Sequence, residues 1–369
     1  MLRALLLCLL ALCTSAPALA AEQTEVLMMG HADLGLRYDG NFILGRQTES
    51  RMALNSAFTG DFELVDVASY THIFQEVAFA GEVGIVPGLE FHALIPYRVH
   101  DNRRFSMARS MGFDPSRGVA SFAAGSPLPD DQLGEVRRGG FGDIRLGISG
   151  SPWNESFDNP SFGTFTLDFT VKIPSAPRYF KVQSSDLLGF GTGAVDVQFG
   201  GGFSKRWKTI DPYIWGEVEI GGKFKEDLTD SNGQVVTDDA EMKSADRFTI
   251  MLGTEAIAME NPAIGTKFAA DIRIEASYIS PAKWWAGAYL HEIAPNTEGL
   301  VVEEDEYLRI KALVGLYVTV QTHFKLQVGT SLGWDTPHIL EGVDRTNYIV
   351  RNGAETFRIG AFFQGQGSF

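Results

Sequence analysis

Three features are scarce or absent in most of this chain: cysteines, long apolar runs and a surplus of basic residues. Its two cysteines, Cys8 and Cys13, both lie near its start. Beyond the first twenty residues it has no run of about 18 apolar residues, so no transmembrane helix is expected. It also lacks a surplus of basic residues. Without Arg3, which lies in the leader predicted below, 30 basic residues face 46 acidic ones, a formal charge of −16. This balance argues against nucleic acid as a partner, because nucleic acid selects a basic surface.

The first residues carry the pattern of a secretory signal peptide. Arg3 provides a positive start, residues 4–12 are apolar, and Ala18-Leu19-Ala20 is an A-x-A cleavage site. We therefore predict that residues 1–20 are a leader that is removed. The mature chain would then contain no thiol, no disulfide and no cysteine metal site.

The rest of the chain shows alternation of apolar and polar residues, the signature of β-strands. In Thr164 to Ile173 every second residue is apolar, so Leu167 is expected to face lipid or a core and Thr166 to face water. The chain also has 40 Gly, 26 Phe, 10 Tyr and 6 Trp, which suits closed sheets with tight turns. No linker or composition shift marks a boundary, so residues 21–369 are predicted to form a single domain.

The alternating segments predict an all-β fold of twelve strands. They lie at 30–41, 70–86, 88–99, 140–150, 161–173, 193–206, 210–224, 244–258, 265–279, 305–320, 322–335 and 354–369. A second hairpin hidden in 42–69 would raise the count to fourteen.

The connections between these strands alternate in length. Short turns, such as Pro87-Gly88 and Gln321-Thr322, alternate with long polar segments at 42–69, 100–139, 174–192, 225–243, 280–304 and 336–353. The last strand ends on Phe369, which resembles the assembly signal of bacterial outer-membrane barrels. Even strand number and loop asymmetry are typical of that class. A transmembrane antiparallel β-barrel is therefore predicted; a soluble sandwich would need a partner layer, and none is evident.

The predicted inward face carries twelve acids and eleven bases, so a near-neutral lumen is expected. One of the bases counted there is Lys223. The residues expected to line the lumen or its constriction are Glu90, His92, Arg98, Asp143, Arg145, Asp168, Lys172, Glu217, Glu219, Arg247, Asp271, Arg273, Glu275, Arg309 and Lys311. Pairs among them either form a narrow polar conduit or simply hold the wall together.

Motifs for other chemistry are scarce. The seven histidines are scattered, no G-x-S-x-G elbow is present, and Gly200-Gly201-Gly202 lacks the lysine and helix of a phosphate loop. No catalytic residue, metal site or cofactor is predicted. The acidic run at 303–306 is interpreted as a solvated loop. Trp284-Trp285 is interpreted as part of an aromatic girdle or, with Phe105, Phe113 and Phe122, of an apolar entrance for a hydrophobic solute.

Two segments carry a family resemblance. Leu89-Glu90-Phe91 through Ile95-Pro96-Tyr97, followed by a long loop and then Gly140 to Gly147, resembles the outer-membrane family associated with meta-pathway phenol degradation. The resemblance implies a channel for small, aromatic or hydrophobic molecules. The long-chain fatty-acid transporters are a related family, but they carry an N-terminal plug before the first strand. Here only about 9 residues of the predicted mature chain precede the first predicted strand, which counts against fatty-acid transport by their mechanism.

The predicted function is passive diffusion of small solutes through the outer membrane of a Gram-negative bacterium. The alternative is a structural or binding barrel with a blocked lumen that acts through its loops. The expected partners are outer-membrane lipid and lipopolysaccharide, the barrel-assembly machinery and a small-molecule solute.

Overall fold

The structure is a computed structural model, and it describes residues 31–54, 60–107, 135–154, 163–176, 191–229, 234–285, 301–321, 323–343 and 348–368. The predicted leader and Phe369 lie outside these ranges, and so do Phe113 and Phe122 of the 100–139 segment. The side chains of Trp284 and Trp285 are not described either.

The fold consists of β-strands, with one 3₁₀ turn described at Pro262–Ile264. The strands are β1 (Ala32–Leu54), β2 (Gly60–Val86), β3 (Leu89–Met107), β4 (Glu135–Phe141), β5 (Ile144–Trp153), β6 (Thr164–Ile173), β7 (Asp196–Ser204), β8 (Ile210–Ile220), β9 (Lys223–Thr229), β10 (Val235–Lys243), β11 (Arg247–Asn261), β12 (Thr266–Ile279), β13 (Ala282–Trp285), β14 (Val301–Glu304), β15 (Tyr307–Val320), β16 (Phe324–Asp335), β17 (His338–Val343) and β18 (Tyr348–Ser368).

Twelve of these strands form a closed antiparallel barrel. Each pairs with the next in the order β1, β2, β3, β5, β6, β7, β8, β11, β12, β15, β16 and β18. The ring closes where β1 pairs with β18, from Asp33 opposite Ser368 to Thr48 opposite Asn352. The prediction of twelve strands is confirmed.

The segment predicted as a loop at 42–69 belongs to strands. Residues 42–54 continue β1 and residues 60–69 continue β2, paired to each other as far as Leu54 and Gly60. The loop prediction there was wrong, and so was the fourteen-strand alternative, because the segment lengthens one hairpin and adds no second one. Its alternation was too weak to read as strand without the pairing partner.

The other six strands raise part of the wall above the barrel. β4, β9, β10, β13, β14 and β17 pair with one another or with the far ends of β3 and β18. We call this part the raised wall. Parts of the predicted loops at 100–139, 225–243, 280–304 and 336–353 are therefore strands. The predicted short turns lie at the opposite end, together with the start of β1 and the end of β18, which marks that end as periplasmic.

The outer face of the barrel is a belt of exposed apolar side chains. Leu167, Phe199, Leu252, Ile274 and Val314 are each 49–58% exposed. Trp153 and Trp207 are exposed near the periplasmic ends of their strands, at the place of an aromatic girdle. Burying such a face requires lipid, because a closed sheet has no second layer to cover its outside. In the part of the chain that the structure describes, no helix is long and apolar enough to cross a membrane.

Candidate functional site

The inner face of the barrel gathers the residues predicted for the lumen. Residues opposite one another on paired strands point to the same face, so cross-strand registers connect them in rows. One such row runs through Glu82, His92, Gly147, Thr170, Gln198, Glu219 and Arg247. Parity along each strand places fourteen of the fifteen predicted residues on this face, whereas Asp143 lies between β4 and β5. That placement leaves their role in conduction as a prediction.

The extracellular half of the lumen holds two groups of paired charges. Arg247 contacts Glu219 and lies 3.9 Å from Glu217 across the β8–β11 pair. Lys311 contacts Glu275 at 3.1 Å. Since each base has an acid on the neighbouring strand, these charges largely cancel within the wall.

A carboxylate that the sequence analysis missed joins three strands at the same level. Asp335 accepts hydrogen bonds from Arg309 at 2.7 Å and from Arg358 at 2.6 Å, and Thr356 donates to it at 2.8 Å. Asp335 is 1% exposed. Asp335 lies an even number of residues from Gln327, Gly329 and Ser331, so it shares their inward face. Alternation could have identified it, but the predicted strand ended at this residue.

Two further groups of paired charges lie on β2 and β3, across the ring of strands from β11 and β12, and on β6 and β7, next to β8. Arg98 contacts Glu76 at 3.1 Å and Asp101 at 2.7 Å, and His72 contacts Asp101 at 2.8 Å. Lys172 pairs with Asp196 on the neighbouring strand. These pairs again neutralise charge locally and tie adjacent strands together.

Nearer the periplasm, four side chains form a hydrogen-bonded ring. Ser149 donates to Asp168 at 2.8 Å and lies 3.2 Å from Nδ1 of His92. Thr170 donates to Asp168 at 3.0 Å, and its Oγ1 lies 2.9 Å from Nε2 of His92. A nucleophilic serine donates its proton to the histidine. Here that proton goes to the carboxylate, so the ring does not have the arrangement of a catalytic triad.

Asp143 has a different environment from the other predicted residues. It accepts hydrogen bonds from the backbone of Ala176 at 3.2 Å and of Thr192 at 2.9 Å, and from the hydroxyl of Thr192 at 2.9 Å. These contacts fasten the two ends of the β6–β7 connection to the point between β4 and β5. Asp143 thus satisfies buried backbone N–H groups at the barrel rim.

Between the charged groups lies a layer of aromatic rings packed on the wall. Trp215 is 2% exposed, and its ring covers Gly200 and Gly202 of the neighbouring strand, where a Cβ would lie 2.4 Å from it. Tyr213 donates to Asp271 at 2.7 Å, and Arg273 lies 3.7 Å from the same carboxylate. The inward glycines therefore leave the space that the ring from the neighbouring strand occupies, and we call such a position the seat of that ring.

The same packing recurs on the other side of the barrel. Phe362 is 3% exposed and contacts Leu313, which is 1% exposed. A Cβ on Gly329 would lie 2.5 Å from the Phe362 ring. The sequence analysis placed these aromatic residues in strands but did not assign them to the lumen. Their parity, shared with Glu217 and with Arg358, was the available signal.

The structure changes the charge balance expected for the lumen. Lys223 lies in the raised wall, 64% exposed and paired with Glu241, so its assignment to the lumen was wrong because the strand is interrupted at Gly221-Gly222. Asp39, Asp101, Asp211, Asp335 and Lys267 join the inner face. Among described side chains, the acids on this face therefore outnumber the bases by more than the predicted twelve to eleven.

No group of three or more potential metal ligands is found among the residues that the structure describes. Glu303 and Glu304 of the acidic run belong to β14, where Glu303 pairs with Lys283 and Glu304 with His338. Their interpretation as part of a solvated loop was therefore wrong, and Asp305-Glu306 alone separates β14 from β15.

Comparisons with known proteins give similar folds. No protein-family model matches the chain, and no curated protein matches it. The COG4313 outer membrane channel from Pseudomonas putida F1 is 14% identical over 96% of this chain and 100% of its own, with a TM-score of 0.49. A Pseudomonas aeruginosa FadL homologue is 8% identical over 97% and 95%, with a TM-score of 0.39. The outer membrane protease OmpT from Escherichia coli is 9% identical over 94% and 100%, with a TM-score of 0.37.

The fold and the two faces of its wall define a class of protein. A closed antiparallel sheet with an apolar outer belt and a polar interior is a transmembrane β-barrel. The chain is a barrel of the outer-membrane type, as the sequence predicted.

Proposed function

We propose that this protein is a channel for passive diffusion of small solutes, aromatic ones included, across the outer membrane. The observation that carries the proposal is the contrast between the two faces of one wall. The outside is apolar, whereas the inside is lined by charged groups that water partly reaches: Arg247 is 34%, Arg358 22% and Arg98 20% exposed at the side chain. No catalytic role is proposed, since Ser149 beside His92 donates to Asp168 and so lacks the arrangement of a nucleophile.

The size and lining of the lumen support small cargo. Twelve strands enclose far less space than the 16–18 strands of general porins. Inward side chains narrow that space further, and the wall is lined by the rings of Tyr213, Trp215 and Phe362. Such a path suits a flat or slender molecule better than a hydrated sugar.

A second candidate function rests on a specific observation. The inward side chains of Trp215 on β8, Arg273 on β12 and Leu313 on β15 are 2%, 1% and 1% exposed, so the packed layer leaves almost no water against these strands. If the layer closes the lumen completely, the protein is a structural or binding barrel that acts through its external segments.

Single-protein recordings in a planar bilayer separate the two candidates. We expect discrete conductance steps from the purified, folded protein. Trp215→Ala should increase the step size, because it removes the largest ring from the packed layer. The matched control is Trp207→Ala, which removes an indole that is 60% exposed on the outside and should leave the steps unchanged. A silent wild type that Trp215→Ala opens would assign the blocked barrel instead.

The aromatic cargo has its own measurement. A water-soluble aromatic such as benzyl alcohol should reduce the wild-type current when it occupies the ring-lined part of the lumen. The reduction should be smaller in Trp215→Ala. Equal reduction in both proteins would show that the aromatic layer does not hold the solute.

Two partners belong to the same proposal. The exposed belt and its girdle residues support contact with outer-membrane lipid, including lipopolysaccharide in the outer leaflet. The terminal Phe369 supports recognition by the barrel-assembly machinery. Deleting Phe369 should slow assembly into the membrane, measured by heat-modifiable migration of newly made protein, whereas replacing it with another aromatic residue should not.

A further inference from the structure

Three lysines lie side by side on the outside of the raised wall. Lys243 of β10 is directly opposite Lys223 of β9 and also directly opposite Lys283 of β13. Directly opposed residues share a face, so the three ammonium groups form one row across three strands. We call this set the lysine row. Adjacent strands lie about 4.8 Å apart, so the row spans about 10 Å.

The lysine row faces outward. On the same strands the even-numbered residues Leu228 and Met242 are 1% and 0% exposed and point inward. The lysines have the opposite parity, and their side chains are 64% (Lys223), 25% (Lys243) and 43% (Lys283) exposed.

The row begins where the apolar belt ends. The last outward apolar residues below it are Ile220 on β8, Phe248 on β11 and Tyr278 on β12, and they are 51%, 46% and 43% exposed. Each lysine lies three to five residues along the chain from its apolar neighbour, on the side of the long connections. The row therefore lies at the extracellular edge of the belt, at the depth of the outer-leaflet headgroups.

Opposed like charges need an explanation, because they destabilise a sheet. Each lysine has one carboxylate: Glu241 lies 3.2 Å from Lys223, Asp246 lies 2.8 Å from Lys243, and Glu303 contacts Lys283. An ammonium group has three donors, so one carboxylate leaves capacity on each. Because the three lysines are exposed on the outside of the wall, their remaining N–H donors can reach groups at the membrane surface.

We propose that the lysine row binds the phosphate of a phosphorylated lipid headgroup in the outer leaflet. A phosphate offers acceptor oxygens to two or three neighbouring ammonium groups at once, which offsets their mutual repulsion. The belt below accepts the acyl chains of the same molecule. The contact would fix the raised wall at a defined height in the membrane.

Lipid binding to the folded protein in detergent tests the proposal. The probe is diphosphorylated lipid A added to the micelles, with bound lipid counted by native mass spectrometry. The test variant carries Lys223→Gln, Lys243→Gln and Lys283→Gln. Each lysine near a charged headgroup contributes about fivefold in affinity, and the paired carboxylates reduce that, so we expect a loss of at least about tenfold overall.

The matched control removes three positive charges from the periplasmic end. It carries Lys205→Gln, Arg206→Gln and Lys208→Gln at the β7–β8 turn and should bind lipid A as the wild type does. Substituting arginine at the three lysine positions should retain binding. Heat-modifiable migration on a gel checks that each variant is folded.

Three results would overturn the proposal. Equal binding of lipid A by the glutamine variant would mean that the lysines serve their own carboxylates alone. Equal binding of dephosphorylated lipid A by the wild type would mean that the acyl chains carry the contact. Inorganic phosphate is the third probe: if millimolar phosphate displaces the lipid completely, the row is a site for free anions and the lipid assignment fails.

Discussion

Gln198 and Phe199 are neighbours in β7 and face opposite surroundings. Gln198 is half-buried in the lumen, whereas Phe199 is 49% exposed in the belt and packs on Phe169 with ring centroids 4.9 Å apart. A strand places consecutive residues on opposite faces, so position decides the effect of the same substitution.

The pair yields a prediction. Phe199→Arg should destabilise the folded barrel by about 2–4 kcal/mol, the cost of arginine near the middle of a membrane. Gln198→Arg should cost much less, because it points into a polar lumen. Denaturant unfolding in lipid vesicles measures both, with Phe199→Leu as the control for lost ring packing. Similar losses for both arginine variants would contradict the inward and outward assignment.

Thr166 shows where parity alone fails. The expectation that Thr166 faces water was wrong: it points inward as predicted, but it is 0% exposed beside the seat of Trp215. Alternation identifies the face of a residue, whereas the space available there depends on the ring carried by another strand.

Gly202 leads to a second prediction at this scale. A Cβ there would lie 2.4 Å from the Trp215 ring and 2.7 Å from the carbonyl oxygen of Ile214. Gly202→Ala should therefore push the ring toward the lumen and cost about 1–3 kcal/mol, as overpacking does. The control is Gly216→Ala on β8, where a Cβ meets nothing within 4 Å. Unfolding in lipid vesicles gives the cost. Gly202→Ala should also change the Trp fluorescence of the folded protein, because the Trp215 ring moves. The same change in Gly216→Ala would show that the effect is not specific to the seat of Trp215.

At the scale of elements, several barrel strands are interrupted at one level on the extracellular side. Breaks lie between β8 and β9, β10 and β11, and β12 and β13. Asp246 joins these three breaks: it accepts from the backbone of Gly221 at 2.9 Å, and Ser280 donates to it at 3.3 Å. The hydrogen bonds of Lys243 and of the Gly221 backbone outweigh the effect of burial, so the pKa of Asp246 lies below its ordinary value.

These breaks explain how much of the fold could be predicted. Strand number and order follow from alternation within Thr164 to Ile173 and similar segments, where lipid and lumen impose a strict period. The raised wall has water on its outer side and covered residues such as Met242 on its inner side, so its segments read as polar loops. Lys223 was misplaced for the same reason, because a two-glycine break resets parity. The paired lumen charges were predictable as a set, but their partners depend on register.

The raised wall should respond to pH through His338. Its Nε2 lies 3.0 Å from Glu304 and its ring stacks on Tyr307 with centroids 4.4 Å apart. Burial lowers the pKa of His338, but the hydrogen bond and charge of Glu304 outweigh it, so the pKa is raised. The resulting stabilisation is complete below the ordinary histidine pKa of about 6.5 and is lost as pH rises through the folded value.

Hydrogen exchange measures that response. After correction for intrinsic exchange rates, the backbone amides of β14 and β17 should be better protected at about pH 5.5 than at about pH 8.5. These two values lie below and above the ordinary histidine pKa of about 6.5. His338→Gln should remove the difference. Protection that falls equally with pH in the variant would assign the effect to another group.

At the scale of the whole molecule, acids and bases are distributed unevenly along the lumen. The excess of acids lies toward the periplasm, where Asp33 and Glu82 share the amide of Gln366 at 2.8 and 3.0 Å, and Glu90 is close to the same end. Higher in the lumen, most acids are matched by a base on the next strand. Ion selectivity arises from unbalanced rings of charge, so the periplasmic mouth should dominate it.

The excess of acids over bases on the described inner face predicts a modest preference for K⁺ over Cl⁻. Glu217→Gln with Glu219→Gln would leave Arg247 without its two acids and should move the reversal potential in a salt gradient toward anions. Glu303→Gln, on the outside of the raised wall, should leave it nearly unchanged, because charge there is screened within about 8–10 Å. Glu82→Gln, beside Lys325 at the periplasmic end, should also weaken cation preference, because it removes an acid from the part of the lumen where acids are in excess. A strong preference for K⁺ that persists in both lumen variants would locate the filter outside the barrel wall described here.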